Sequence, residues 1–378
     1  MKILFITDRY TSDLGGAAKS AERISKILAD AGNTIHILHL STTLNAGEII
    51  SNSDDSGRII HQIGLFPEFD TAMQWVELII NGLHRKVDFD IIHGHGLFPA
   101  GFLAVYCSKL NKLKSITSIR GNDLDRGIHR SDTFQHLIWT LENADLISTV
   151  STEAANKSAV LSNRKSGIIY TPNGVDTQIF TPRKKNQQLL TDLNINDAKI
   201  FLFTGEMRFK KGQPFIFEAF RELNVKFPCK LLIVGEVRDN IEKENYLLKY
   251  PELRDKIIFI PYMTDEYKLS ELYNICDFFF SPSLWDGMPN SVLEAMACGK
   301  IVIGTKTGGI PDMITHGENG ILISPDDLPR LGEACIELIN LPDNFLQEMS
   351  ANARNTILDQ FTLHHESAMW INIYKTLY

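Results

Sequence analysis

The stretch with the densest chemical content runs Ser281-Pro282-Ser283-Leu284-Trp285-Asp286-Gly287-Met288-Pro289-Asn290-Ser291-Val292-Leu293-Glu294-Ala295-Met296-Ala297-Cys298-Gly299. An apolar run ending at Ser281 feeds a Gly/Pro loop that carries Asp286. The pattern predicts a short helix from about Asn290, with Glu294 in its early turns and Gly299 at its end. A helix start offers backbone N–H groups and the positive end of the helix dipole, so the amides of Asn290, Ser291 and Val292 are suited to a phosphate. Glu294 can accept from both hydroxyls of a ribose, with Asp286 facing the next group along. Capping alone accounts for an acid near a helix start. It does not account for the Gly-Met-Pro-Asn loop or for a second acid at this offset.

A second constellation is Thr204-Gly205-Glu206-Met207-Arg208-Phe209-Lys210-Lys211-Gly212, which follows the apolar run from Ile200. Two or three cations just beyond a strand and a glycine, here among Arg208, Lys210 and Lys211, can neutralise a diphosphate through charge-assisted hydrogen bonds. Surface cations ahead of a helix are the plainer reading. Near the start, Asp13-Leu14-Gly15-Gly16 lies between a strand and a helical pattern, where glycines let backbone approach a ligand. An ordinary tight turn explains it as well. His93-Gly94-His95-Gly96 follows another strand and tempts a metal reading, but no third ligand is near in sequence. Lining of an acceptor site and plain strand-end structure both stay open for His95. Arg120 and Asp123, in Ile119-Arg120-Gly121-Asn122-Asp123, are either sugar or acceptor contacts or a structural pair. No GxGxxG fingerprint occurs, which counts against a nicotinamide dehydrogenase.

What must position these residues is a series of strands. Apolar, β-branched runs recur at Ile3–Thr7, Thr34–Leu40, Asp90–His93, Ser115–Ile119, Leu146–Val150 and Ile168–Tyr170. A second series follows at Ile200–Thr204, Lys230–Val234, Lys256–Ile260, Asp277–Ser281, Ile301–Gly304 and Gly320–Ser324. Unbroken apolar character means strands covered on both faces, and their alternation with helical stretches means parallel sheets. The expected fold is therefore α/β, with two facing Rossmann-like, doubly wound domains. The seam is the turn-rich Thr171-Pro172-Asn173-Gly174-Val175-Asp176. The expected boundaries are 1–172 for the first domain and 173–360 for the second, with a final helix at about 361–378 packing back on the first. A doubly wound sheet binds its ligand beyond the carboxyl ends of its strands, where the residues named above fall.

Composition narrows the function classes. A net charge of −8 excludes bulk nucleic-acid binding, which needs a basic footprint. Basic residues do gather at Arg85, Lys86, Lys109, Lys112, Lys114, Arg120, Arg126 and Arg130. Either a solvated helix face or peripheral contact with an anionic membrane surface accounts for them. The five cysteines are scattered and form no CxxC pair, so neither a disulfide framework nor a zinc site is indicated. No apolar run is long enough to span a bilayer and Met1 leads straight into a strand, so a cytoplasmic location is expected.

Glu294, with an acid eight positions earlier and Ala-Met-Ala-Cys-Gly after it, resembles the EX7E element of family 4 glycosyltransferases of GT-B fold. The resemblance spans nearly the whole chain. It takes in Gly15-Gly16, Pro172-Asn173-Gly174-Val175-Asp176, Arg208 with Lys211-Gly212, Gly308-Gly309-Ile310-Pro311-Asp312 and Glu318-Asn319-Gly320. It implies a retaining, metal-independent hexosyltransferase without cofactor, using a nucleotide sugar, UDP more readily than GDP, and a glycan or lipid-linked acceptor in polysaccharide or glycoconjugate synthesis. Glu294 would hold the ribose, Arg208 and Lys211 the diphosphate, and Gly15-Gly16 would approach donor phosphate or acceptor. The donor would lie mainly on the second domain and the acceptor on the first. Two departures stand out. Asp286 takes the place of the usual Glu and shortens the reach by about 1.5 Å. Arg120 stands where many members have a sugar-contacting His, so that role does not carry over. A nucleotide-sugar epimerase and a non-catalytic nucleotide-sugar sensor would share the same donor residues.

Overall fold

Runs such as Ile3-Leu4-Phe5-Ile6 and Phe201-Leu202-Phe203 offer no polar side chain to water, and in the computed structural model all of these residues are buried. The structure describes residues 1–10, 15–121, 123–238 and 240–377. The chain divides into two units. One is Met1–Asn173 with the returning segment from His364, and the other is Gly174–Leu363.

The first unit holds β1 (Lys2–Thr7), β2 (Thr34–Ser41), β3 (Ile49–Ser53), β4 (Ile59–Gly64), β5 (Ile91–His95), β6 (Lys114–Ile119), β7 (Leu146–Thr149) and β8 (Ile168–Tyr170). Their order in the sheet is β3-β4-β2-β1-β5-β6-β7-β8. The second unit holds β9 (Lys199–Thr204), β10 (Cys229–Val234), β11 (Ile257–Ile260), β12 (Phe278–Ser281), β13 (Ile301–Thr305) and β14 (Gly320–Ile323), ordered β11-β10-β9-β12-β13-β14. The six strands of the second sheet pair in parallel throughout. The first sheet departs from the all-parallel expectation at one edge, where β3 pairs antiparallel with β4. Every residue of β3 is exposed, and β4 carries His61 and Gln62, so neither has the unbroken apolar character of a covered strand. Burial on both faces is what the sequence pattern reports; β3 lacks it, and β4, though largely buried, interrupts its apolar run with His61 and Gln62.

The final helix, Leu363–Leu377, buries Trp370, Ile373 and Tyr374 in the cluster that also contains Ile3, Phe5 and Ile91. Polar contacts fix its register. Arg23 holds Glu366 through two hydrogen bonds of 2.6 and 3.0 Å, and the Tyr374 hydroxyl lies 2.6 Å from His93 Nδ1.

The basic residues picked out in the sequence do not share one place. Arg85 and Lys86 end the helix Phe69–Val87, Lys109 ends the helix Ala100–Asn111, Lys112 caps it and Lys114 opens β6. These lie at the amino edge of the sheet. Arg126 and Arg130 follow the carboxyl end of β6, and Arg120 is buried. Among the described residues, no helix is long and apolar enough to cross a membrane.

Candidate functional site

In the second sheet the strand order reverses beside β9, which has β10 on one side and β12 on the other. Loops leaving β9 and β12 therefore diverge and open a crevice, the place where doubly wound sheets bind ligands. The loop from β9 carries the cations, and the loop from β12 carries Asp286 and leads into the helix Asn290–Ala297.

Glycines make the close approach of these loops possible. Gly212 sits at φ +78°, and a Cβ there would fall 2.2 Å from the Pro282 carbonyl oxygen. Gly308, at φ +57°, would bring a Cβ within 1.8 Å of the Asp286 carbonyl oxygen. Beside it, the Gly309 N–H donates to the Gly287 carbonyl at 2.5 Å, and the Leu284 N–H donates to the Lys210 carbonyl at 2.9 Å. The loops after β9, β12 and β13 are thus locked to one another by backbone. No side chain could be inserted there without moving them.

On this frame the charges interlock. The Lys211 ammonium pairs with the Asp286 carboxylate. Asp286 also accepts from the Gly287 N–H at 3.0 Å. Burial pushes the Asp286 carboxyl up, but Lys211 and Lys210 outweigh it and hold the group below the usual carboxylate range. Arg208 pairs with Glu206 at 2.7 Å, and Glu206 also meets Arg238. The resemblance implies Arg208 and Lys211 at the diphosphate but not Lys210. Lys210 belongs to the same cluster. Burial, with Lys211 and Arg208 nearby, lowers its pKa to about 8 against the opposing pull of Asp286.

The helix starts at Asn290, directly after Pro289, with no acidic residue in its first turn. An anion at this end would meet the positive pole of the helix without competition from a carboxylate. The Val292 N–H donates to the Pro289 carbonyl at 3.1 Å. Glu294 is half-buried one turn further on, and its Oε2 accepts from the Tyr273 hydroxyl at 2.7 Å. The second unit thus gathers Arg208, Lys210, Lys211, Asp286, Asn290, Ser291 and Glu294 around the ends of two neighbouring strands. Tyr273 could not have been found from the sequence, where it is one apolar position in a helix that also places Leu269, Leu272 and Ile275 inward.

The candidates of the first unit are differently placed. Gly15, at φ +116°, precedes the helix Gly16–Asp30, while Asp13 and Leu14 of that loop lie outside the described residues. Arg120 turns inward, where its guanidinium donates to Ser20 Oγ (3.0 Å), the Thr171 carbonyl (3.1 Å) and Asn173 Oδ1 (3.1 Å), and lies 3.8 Å from Glu366. The partner of Arg120 is therefore Glu366 and not Asp123, as the structural-pair reading had it. Asp123 accepts from the Leu97 and Gly121 amides at 2.9 and 3.2 Å. His95 is 2% exposed and meets Ser20 Oγ at 3.1 Å. Burial and the Arg120 charge press its pKa well down, and they take that of His93 to about 3. Both imidazoles are neutral members of a buried polar network. Asn122 lies outside the described residues.

Asp88 and Asp90, and likewise Asp123 and Asp125, stand two apart in sequence, but neither pair converges on one point. Asp88 takes a left-handed cap after its helix, and Asp90 accepts from the Lys2 N–H at 2.7 Å. Asp125 pairs with Lys157 at 2.7 Å, away from the amides that engage Asp123. All five cysteines are buried and free.

The family described as "Glycosyltransferase Family 4" matches residues 14–179, and "Glycosyl transferases group 1" matches residues 186–356. The N-acetyl-α-D-glucosaminyl L-malate synthase of Bacillus anthracis is 25% identical over 374 residues, covering 97% of this chain and 94% of its own. The D-inositol 3-phosphate glycosyltransferase of Pseudarthrobacter chlorophenolicus is 24% identical, covering 83% and 79%. The structure of Anabaena HepE with UDP-glucose superimposes with a TM-score of 0.81 over 100% of both chains at 17% identity, a likeness of fold.

Proposed function

Since the chain belongs to the family 4 glycosyltransferases of GT-B fold, we propose that it transfers a hexose-type sugar from a nucleotide sugar to an acceptor hydroxyl, with retention and without a metal. The observation that carries this reading is the convergence of Arg208, Lys210, Lys211, the helix start at Asn290 and Glu294 at one strand-order reversal. Glu294 takes the ribose. The cations and helix amides take the diphosphate and stabilise the charge that grows on it as the sugar–phosphate bond breaks. Each such donor contributes about 3 kcal/mol to lowering a barrier of this kind. UDP is the favoured nucleotide, with GDP next, and UDP-glucose in the HepE structure supports the choice.

Metal independence rests on charge. Four cations, counting Arg238, already stand in this cluster, against Glu206, Asp286 and the more exposed Glu236. Retention rests on the family alone, so the two claims can fail separately. For the acceptor, a glycan or lipid-linked sugar is the first reading. A second reading is a small hydroxylated acid or polyol phosphate, the kind of acceptor that the names of the Bacillus anthracis and Pseudarthrobacter relatives carry.

The test incubates the protein with a panel of UDP- and GDP-sugars and both acceptor classes, with and without excess EDTA, and follows products by NMR. Sugar transfer with an unchanged anomeric configuration in EDTA is the expected outcome. An inverted product overturns retention, and activity lost to EDTA and restored by Mg²⁺ overturns metal independence. Conversion of the donor without any acceptor would identify an epimerase. Binding without turnover would identify a sensor.

A further inference from the structure

Tyr273 lies in the last turn of the helix Glu266–Ile275, and the elements around it hold it rigidly. Its side chain is fully buried. Phe180 meets its ring edge-on at 5.9 Å between centroids, and Phe279 of β12 lies at 5.5 Å. Its hydroxyl sits among three oxygens: Thr204 Oγ1 at 2.7 Å, Glu294 Oε2 at 2.7 Å and the Ser291 carbonyl at 3.3 Å. A phenol has one proton to give. The carboxylate is as near as the Thr204 hydroxyl and is the charged acceptor, so the proton goes to Glu294 and the Thr204 hydroxyl donates to the phenol oxygen. Burial and the neighbouring Glu294 charge both press the phenol pKa upward, so it stays a donor across the working pH range.

The chain of contacts therefore starts at the end of β9 (Thr204), passes through Tyr273 and ends on one oxygen of Glu294. A glutamate on a helix has three side-chain torsions, and two hydroxyls of one ribose must both find it in place. We propose that Tyr273 is a positioning residue that sets the plane of the Glu294 carboxylate, and through it the protein's preference for ribo- over deoxyribonucleotides. The proposal rests on the ribose reading of Glu294. It goes beyond that reading by naming the residue on which sugar discrimination depends. Tyr273 itself touches no substrate. It acts through the Glu294 carboxylate, whose Oε2 accepts from the phenol.

The test compares binding of UDP and 2′-deoxy-UDP to the full-length protein by calorimetry, for wild type, Tyr273→Phe, Thr204→Val and Glu294→Gln. A ribose hydroxyl on a charged acceptor corresponds to a preference of roughly tenfold or more. Wild type is expected to prefer UDP by about that factor, Glu294→Gln to lose most of the preference, and Tyr273→Phe to reduce it to about threefold. Thr204→Val, which removes only the contact behind the phenol, is expected to fall between wild type and Tyr273→Phe. A merely structural role would weaken both nucleotides equally and leave their ratio intact, so an unchanged ratio in a folded Tyr273→Phe overturns the proposal. Thermal unfolding of each variant reports folding. Should Tyr273→Phe not fold, Thr204→Val decides by the same ratio. No preference in wild type, or no loss in Glu294→Gln, overturns the ribose reading itself.

Discussion

Lys210 makes the proposed diphosphate site testable without knowledge of the sugar or the acceptor. With its pKa lowered to about 8, it is only about one-quarter protonated in the free protein at pH 8.5. A bound diphosphate adds anionic charge beside it and returns the pKa toward the ordinary value for lysine. The nucleotide's own phosphates are fully ionised at that pH and contribute no protons. Binding of UDP at pH 8.5 should therefore draw about 0.7 proton from the buffer, and affinity should fall roughly fivefold per pH unit there. The direction is fixed by linkage. The complex holds more protons than the free protein, so binding weakens as pH rises through about 8 toward 10.5. Below pH 7 the lysine is already charged and the uptake vanishes. Titration calorimetry in three buffers of different ionisation enthalpy gives the proton number as a slope, with Lys210→Met as the control at the same pH. A zero slope in wild type at pH 8.5, or an equal slope in Lys210→Met, refutes the placement of this ammonium at the diphosphate.

Glu294→Ala should weaken UDP binding at least tenfold with kcat little changed, whereas Lys211→Ala should lower kcat as well, because phosphate charge grows only as the bond breaks; steady-state kinetics at saturating substrates separate the two. Asp286→Asn removes the anion that supports the Lys210 charge. The proton uptake on UDP binding should then persist to lower pH, with its onset shifted downward by roughly one pH unit, and calorimetry across pH 6.5–9 checks it. Glu366→Gln leaves Arg23 and Arg120 facing each other in a buried network without their counter-charge. A loss of about 3–5 kcal/mol in urea unfolding is expected, much of it recovered in the Arg120→Met/Glu366→Met double variant.

What could be read from the sequence was local. Every apolar run named there became a strand, because burial on both faces leaves its mark on consecutive residues. The β3–β4 hairpin, exposed along one strand, leaves no such mark. Glu294, Arg208 and Lys211 could be picked out because the residues around each resemble motifs of the family. Contacts between distant segments were illegible. Nothing in Ile119-Arg120-Gly121 announces that the guanidinium turns inward to a carboxylate on the final helix. Tyr273 looks like core and is core, except at its hydroxyl. Lys210 was not singled out for a related reason: adjacent lysines are indistinguishable until the backbone shows how far burial has lowered the pKa of one of them.

Asp286 is where sequence and structure together say more than either alone. Read as a motif, the loss of one methylene from the usual glutamate is a loss of reach toward the sugar. In the folded protein the shorter side chain ends on Lys211, while Gly287 and, at 3.5 Å, the Ser283 hydroxyl support it from behind. Three cations close together would repel one another in the free protein, and a long side chain such as lysine would spread among many rotamers. A carboxylate on a short, backbone-held stem counters both effects, since it lowers the repulsion and keeps the Lys211 ammonium at the loop. When a diphosphate arrives, its larger charge can take over the ammonium, and Asp286 still retains the Gly287 N–H and the Ser283 hydroxyl. The carboxylate released in this way is not an orphaned buried charge, so the exchange avoids the several-kcal/mol penalty that an unpartnered ion would incur. On the proposed reading of the site, reach is exchanged for preorganisation, which favours binding by ordering the site before the ligand enters.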